Sequence, residues 1–336
     1  MRKLRVAQIG TSETAHAGHI MKALLNMPEE YEVLGVANVD RHPYGLRDPI
    51  FKSVPLMTVD EIFSLDLDAI FIEADEVLQT KYAMMAVERG MHVSVDKPGS
   101  QGDREFDELF NKAEENGTVL FMNYMYRYNP AVMYAREKIK NGDIGDIISI
   151  EAQMNCYHYP GFRNVYSDLK GGVMYYLGCH MTDIIFGTLG EPNAVHTFNR
   201  NTGDPAVKSI DFGLALLSYD KGVSIAKVNA SEVAGAPLRR SIIFSGTKGT
   251  LEIRPIERPI QNGFDVSEIY ENYLGDENIY HRVFAPYGRY THMLREFAAL
   301  VRGDKTETPY TYDYERRLHK LILRTCDALE DYGDLR

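Results

Sequence analysis

Tryptophan is absent from this 336-residue chain, and cysteine is limited to three scattered residues, Cys156, Cys179 and Cys326. An odd, widely spaced set excludes a disulfide framework and a cysteine metal site, and it suits a reducing cytoplasmic setting. Cys179 reads as a small buried hydrophobe rather than a reactive thiol. No apolar run is long enough to span a bilayer. The start, Met1-Arg-Lys-Leu-Arg, leads directly into a strand without a signal-peptide pattern. Positive charge is also short. The formal net charge of −11 argues against a protein that tracks a phosphate backbone. No metal, nucleic-acid or membrane partner is therefore expected, and no repeat or low-complexity segment is found. What remains is a globular composition, 44% hydrophobic and 25% charged, in a chain long enough for two domains.

The first part of the chain alternates strands and helices. Strands are expected at Leu4 to Ile9, Tyr31 to Val39, Asp68 to Glu73, Met91 to Val95 and Val119 to Tyr124. Between them lie helical patterns at His16 to Asn26, Val77 to Arg89 and Asp103 to Asn116. Thr58-Val-Asp-Glu61 is a capping box, and Gly90 and Gly117 stand where helix C-caps want glycine. Such alternation implies βαβ units and, with right-handed crossovers, a doubly wound parallel sheet. Past about Asn141 strands predominate: Ile144 to Met154, Ala194 to Phe198, Ile210 to Tyr219, Val223 to Val233 and Arg240 to Phe244. One helix interrupts them, Val173 to Thr188, and two close the chain, Tyr290 to Arg302 and Tyr314 to Asp331. Turns at Asp220-Lys-Gly222 and Gly246-Thr-Lys-Gly249 suggest antiparallel pairing. The fold class is thus α/β: an amino-terminal Rossmann-type domain over residues 1–125, then an α+β domain over 126–336 with an open, mainly antiparallel sheet. The closing helices are free to pack back on the first domain.

Three places carry candidate chemistry. Asp96-Lys97-Pro98 puts an amine at the carboxyl end of a strand, where open parallel sheets bind ligands. The proline ends the strand, because it removes a ladder donor and keeps its predecessor extended. Alone, this lysine is more readily a solvated surface residue. Within Gly171-Gly-Val-Met-Tyr-Tyr176-Leu-Gly-Cys-His180-Met-Thr-Asp183, helical spacing puts Tyr176, His180 and Asp183 on one stripe. There a carboxylate or phenol can orient an imidazole that titrates near neutrality. The paired glycines admit a close backbone or ligand, while Asp183 more readily holds a backbone group or an arginine than moves protons. Gly10-Thr-Ser-Glu-Thr-Ala-His-Ala-Gly18 follows a strand and precedes a helix but lacks the spaced glycines of G-x-G-x-x-G. Gly10, Thr11 and Ser12, with Thr14, would bind phosphate through hydroxyls and a helix start, and Glu13 opposes it. A capped strand–helix turn is as good a reading. After the second strand, Asn38, Asp40 and Arg41 offer an acid for a ribose diol and a base for a 2′-phosphate. Glu73 and Ala74 would face the nicotinamide ribose or form a plain polar loop.

With these residues in place, the chain resembles the Gfo/Idh/MocA family, which includes glucose-fructose oxidoreductase and inositol dehydrogenases. The resemblance rests on Gly90-Met-His-Val-Ser-Val-Asp-Lys97-Pro98, Tyr126-Arg127-Tyr128-Asn129-Pro130, Gly142-Asp-Ile-Gly145, Gly171-Gly172 through His180 and Asp183, and Phe244-Ser-Gly-Thr-Lys-Gly-Thr-Leu-Glu252. It implies hydride transfer between NAD or NADP, NAD being favoured, and the carbinol carbon of a sugar or cyclitol. Lys97 would bind the reacting hydroxyl and relay its proton, and His180 would be the base. Asp96 and Arg127 join the cofactor candidates, and Arg163 and Lys170 are substrate candidates as readily as solvated loop charges. Family members often pair through the second domain's sheet, so a homodimer or homotetramer is expected. Tyr176 stands where the family usually has aspartate, Gln79 about where it often has histidine, and Glu73-Ala74 replace its usual Thr-Pro. The alternatives are a non-catalytic ligand-binding or regulatory relative, and an NAD-dependent glycosidase for which Tyr176 would acidify a C–H.

Overall fold

A computed structural model of the chain describes residues 2–41, 45–229 and 240–329. It divides into two compact units, Met1–Tyr124 with Tyr290–His319, and Met125–Arg289 with Lys320–Arg336. Among the described residues no helix is long and apolar enough to cross a membrane.

The first unit is built on a six-stranded, wholly parallel sheet. Its strands are β1 (Leu4–Ile9), β2 (Tyr31–Ala37), β3 (Leu56–Met57), β4 (Ala69–Ile72), β5 (His92–Val95) and β6 (Leu120–Met122), in the order 3-2-1-4-5-6. Helices α1 (Ala17–Leu25), α2 (Val59–Ser64), α3 (Gln79–Val87) and α4 (Asp103–Asn116) connect them. β4, Ala-Ile-Phe-Ile, is buried throughout, as a strand covered on both faces must be. The order reverses where β1 pairs with both β2 and β4. That reversal opens a crevice at the carboxyl ends of the two strands. Gly10 sits there with φ +103°, and a Cβ on it would lie 2.2 Å from the Ala74 nitrogen. The loop after β1 therefore lies directly on the loop after β4.

The second unit opens with a single 3-10 turn, Met125–Tyr128, and α5 (Pro130–Lys140), capped by the Asn129 side chain. β7 (Ile147–Met154) follows, then the one-turn α6 (Pro160–Arg163), a π turn over Met174–Gly178 and α7 (Cys179–Leu189). Strands β8 (Ala194–Thr197), β9 (Phe212–Tyr219), β10 (Gly222–Asn229), β11 (Arg240–Gly246) and β12 (Gly249–Ile253) come next. β13 (Arg258–Pro259), β14 (Phe264–Val266), β15 (Glu268–Tyr273), β16 (Ile279–Val283) and β17 (Tyr287–Gly288) complete the strands. Eight of them form one sheet in the order 16-15-12-11-7-10-9-8, antiparallel except between β7 and β10. β13, β14 and β17 make a small separate sheet. The chain then re-enters the first unit with α8 (Thr291–Arg302), while α9 (Tyr312–Thr325) begins in the first unit's residues and ends in the second's. α8 covers the parallel sheet: Phe297 meets Phe71 edge-on at 5.3 Å, and the Tyr31 hydroxyl donates to the Leu294 carbonyl at 2.5 Å.

Three sequence expectations shift. The helix expected from Val173 begins with the π turn instead. The stretch 256–287, for which the sequence suggests no strand, carries five short strands that alternate too briefly to read. The part of the expected Val223 to Val233 strand beyond residue 229 lies outside the described residues.

Gly171 and Gly172 have φ of +77° and +58°, and a Cβ on Gly172 would meet the Ile210 carbonyl oxygen at 2.3 Å. The close neighbour that Gly172 admits is thus backbone, whereas a Cβ on Gly171 would meet the Cys326 side chain at 2.4 Å. Gly142, with φ +77° and nothing within 4 Å of a built Cβ, isolates the backbone effect. Gly142→Ala is expected to cost about 1 kcal/mol from left-handed strain alone. Gly172→Ala should cost about 2 kcal/mol more through the collision, and denaturant unfolding of the intact chain separates the two.

Candidate active site

β5 ends in a buried cluster of titratable groups. Lys97 and Asp96 are 1% and 0% exposed. The His16 ring, just ahead of α1, bonds through Nδ1 to Asp96 Oδ1 at 2.9 Å. Glu73, at the end of β4, accepts from Asn123 Nδ2 at 3.0 Å, and Asn123 Oδ1 accepts from the Ser94 hydroxyl at 2.7 Å. Burial pushes the Glu73 carboxyl up, and neighbouring Asp96 pushes it further. Burial would raise Asp96 as well, but His16 and Lys97 hold it below its ordinary range. Glu76 is pushed up to about 7 by burial, against the pull of Lys97. One carboxylate is ionised beside the amine while two others favour the protonated form, the division of roles that acid–base sites exploit.

The loop after β1 is tied down by carboxylates. Asp40 Oδ2 accepts the Thr11 amide at 2.5 Å and the Thr11 hydroxyl at 3.2 Å, while its Oδ1 accepts the Asp75 amide at 2.8 Å. Burial raises the Asp40 carboxyl in spite of those amides. The Ser12 hydroxyl donates to Asp75 Oδ1 at 2.6 Å, and the Thr14 hydroxyl to Glu76 Oε2 at 2.8 Å. Asn38 accepts the Asp40 amide, and the Arg41 amide donates to Asp75. The structure thus gathers Gly10, Thr11, Ser12, Asn38, Asp40, Arg41, Glu73, Ala74, Asp96 and Lys97 in one unit. His16 and Glu76 were missed. Their only sequence signal was position, one before a helix and one after a strand.

In the second unit, Tyr176 lies in the π turn and His180 in the first turn of α7 that follows it. Such turns recur at functional sites. The Tyr176 ring packs 5.1 Å from that of Tyr166 and 6.2 Å from that of Phe162, whereas the His180 ring meets Tyr126 edge-on at 4.9 Å. Asp183, on the histidine's stripe but read as holding an arginine more readily than moving protons, accepts from Arg127 Nε through both oxygens, at 3.0 and 3.1 Å. Arg127, expected at the cofactor, is 1% exposed in its side chain and forked on that aspartate. Arg163, expected at the substrate, is buried and paired with Asp211 at 2.7 Å and Asp204 at 2.5 Å. Both cations were visible in the sequence, but Asp204 and Asp211 carried no signal as partners of Arg163. Lys170 is exposed on the loop before Gly171.

Residues 132–252 match the family described as GFO/IDH/MocA C-terminal domain. A D-xylose 1-dehydrogenase (NADP(+)) of Haloferax volcanii is 26% identical over 80% of this chain and 78% of its own length. A scyllo-inositol 2-dehydrogenase (NADP(+)) of Bacillus subtilis is 24% identical over the same shares, 80% and 78%. The chain thus carries a Gfo/Idh/MocA carboxyl-terminal domain and is similar over four fifths of its length to sugar and inositol dehydrogenases. Its named relatives are dehydrogenases and reductases, and the class they support for it is an oxidoreductase enzyme. The fold is also that of a 3-ketoreductase from Actinomadura kijaniata, solved with NADP and TDP-benzene. That match has a TM-score of 0.79 and 20% identity over 98% of this chain and 97% of the other.

The family implies a nicotinamide dinucleotide in the β1–β4 crevice. In the arrangement described its diphosphate does not fit, because the hydroxyls of Ser12 and Thr14 and the amide of Thr11 all point into carboxylates.

Glu76 gives a stability test. A carboxyl raised from its ordinary 4.5 to about 7 adds stability that is fully present below the lower value and is lost as pH rises through the upper one. Between pH about 5 and 8, wild-type protein should therefore lose about 3 kcal/mol of unfolding free energy relative to Glu76→Gln. Urea titrations of both proteins across that range provide the check.

Proposed function

We propose that the chain is an NAD(P)-dependent oxidoreductase acting on the carbinol or carbonyl carbon of a sugar, a cyclitol or a derivative. The observation that carries this reading is the amine of Lys97, buried at the carboxyl end of β5 beside Asp96, His16 and Glu73. An amine so placed can hold a reacting hydroxyl and pass its proton on. His180 is proposed as the base in oxidation. The sugar- and inositol-acting relatives support the substrate class.

NAD is favoured over NADP on charge. A 2′-phosphate at the end of β2 would meet both Asp40 and Asp75, and the Arg41 guanidinium that would offset them lies 3.7 Å from Asp75. The named relatives with NADP(+) argue the other way, so the two nucleotides are to be titrated side by side. Exposed Ile148, Val223, Ile279 and Val283 on the second unit's large sheet support a homo-oligomer through that surface. A second reading, a ligand-binding relative without turnover, is favoured by the carboxylates that occupy the loop's donors.

Nucleotide fluorescence titration with NADH and NADPH, followed by a polyol and inositol panel read at the nucleotide's absorbance, decides between the readings. Saturable binding and turnover are expected. Lys97→Ala and His180→Ala should each lower kcat/KM by at least about a hundredfold while leaving the far-ultraviolet dichroism unchanged. Binding of neither nucleotide by the wild-type protein would remove the oxidoreductase reading, and wild-type rates in both variants would remove the residue roles.

A further inference from the structure

We propose that Asp75 and Glu76 limit the affinity of the first unit for its nucleotide by clasping the loop after β1 to the loop after β4. The proposal rests on the nicotinamide-dependent reading above. A diphosphate bound at the switch point of a parallel sheet lies over the loop after the first strand and the start of the following helix. Here that loop is joined directly to residues 73–76. The Ser12 amide donates to the Glu73 carbonyl at 3.3 Å, the Ser12 hydroxyl to Asp75 at 2.6 Å and the Thr14 hydroxyl to Glu76 at 2.8 Å. All four side chains of the Ser12–Asp75 and Thr14–Glu76 contacts are buried, Ser12 at 4%, Thr14 at 7%, Asp75 at 6% and Glu76 at 3% exposed.

Two effects then oppose an incoming diphosphate. Its best side-chain donors already serve buried carboxyl oxygens, and giving up such a bond without a replacement is costly. Its own negative charge would also enter beside carboxylates in a buried place, where screening is weak. Asp40 differs from the other two. Its position after β2 suits a ribose diol, so it is compatible with bound nucleotide, whereas Asp75 and Glu76 contact the segment that a diphosphate needs. Gly10 keeps the two loops in register for the clasp, since its missing Cβ lets them touch. Opening requires the Ser12 and Thr14 hydroxyls to turn from carboxylate to phosphate, without any change in the sheet beneath.

The test is a titration of NADH and NADPH into the full chain as wild type, Asp75→Asn, Glu76→Gln and the double variant. Each amide keeps an acceptor oxygen for its hydroxyl while removing the charge. The double variant is expected to bind at least tenfold more tightly than wild type, and each single variant to fall between. Binding by the double variant with none by wild type would support the clasp while removing nucleotide dependence from the native chain. Equal affinities in all four proteins would overturn the clasp and leave the oxidoreductase reading standing. Binding by none of them would overturn both. Should the double variant fail to fold, hydrogen exchange of wild-type peptides covering 11–16 and 73–79 serves instead. Exchange altered by saturating NADH is expected, and unchanged exchange with nucleotide bound would overturn the clasp.

Discussion

The backbone of Gly10 lies against that of Glu73 and Ala74 with no room for a side chain between them, and the first unit's chemistry is arranged around that contact. Because the two loops touch there, residues 11–14 lie against residues 73–76, and their buried polar groups need partners close by. Buried hydroxyls and amides left without partners are costly. This sequence supplies carboxylates as the partners: Asp40 for Thr11, Asp75 for Ser12, Glu76 for Thr14. A glycine at position 12 would have asked for no partner and left a space. Serine there fills it and recruits Asp75.

Collecting carboxylates in one buried place raises a second constraint, because charges remain in such a place only when balanced. Asp96 stays ionised between His16 and Lys97, whereas Glu73 and Glu76 move toward the protonated state. Among the described residues, one oxygen of each of Glu73, Glu76 and Asp96 is buried without a hydrogen-bond partner. For the two glutamates, such an oxygen is where a proton resides most cheaply. The amine of Lys97 thus faces one fixed negative charge and two conditional ones, and the charge of the cluster depends on pH near neutrality through Glu76.

What the sequence made legible follows from what each signal measures. Buried parallel strands such as Ala69–Ile72 and capped helices such as Asp103–Asn116 announce themselves over several residues, so the doubly wound sheet and its order of elements could be read. The π turn at Met174–Gly178 could not, because one extra residue in a helical turn leaves the hydrophobic pattern nearly unchanged. Arg127 and Arg163 were visible as cations, but their roles were set by Asp183, Asp204 and Asp211, far along the chain. A charge seen without its partner reads as a binding residue. The strands between 256 and 287 were unreadable for a simpler reason, since runs of two to six residues carry too few alternations to outweigh the polar residues among them.

The same dependence on distant partners governs His180. Its ring meets the edge or face of Tyr126 rather than a hydrogen-bonding group of that residue, so packing sets its orientation there. The Tyr126 hydroxyl donates to Glu257 at 2.7 Å and accepts from Arg240 at 2.8 Å and Arg289 at 3.2 Å. Burial pushes that phenol up to about 12. Glu257, against the effect of burial, is held down to about 2 by Arg289 and Arg240. Neither group changes charge across the neutral range. Asp265 is the exception in this network, raised to about 6 by burial and by Glu257. The Arg127–Asp183 fork ties α7 to the turn that carries Tyr126. Tyr126 and Glu257 thus hold their charge states near neutrality beneath the histidine, whereas Lys97 of the other unit sits beside Glu76, which does not. A change of charge near neutrality is built into the Lys97 cluster through Glu76 and into the network around Tyr126 through Asp265.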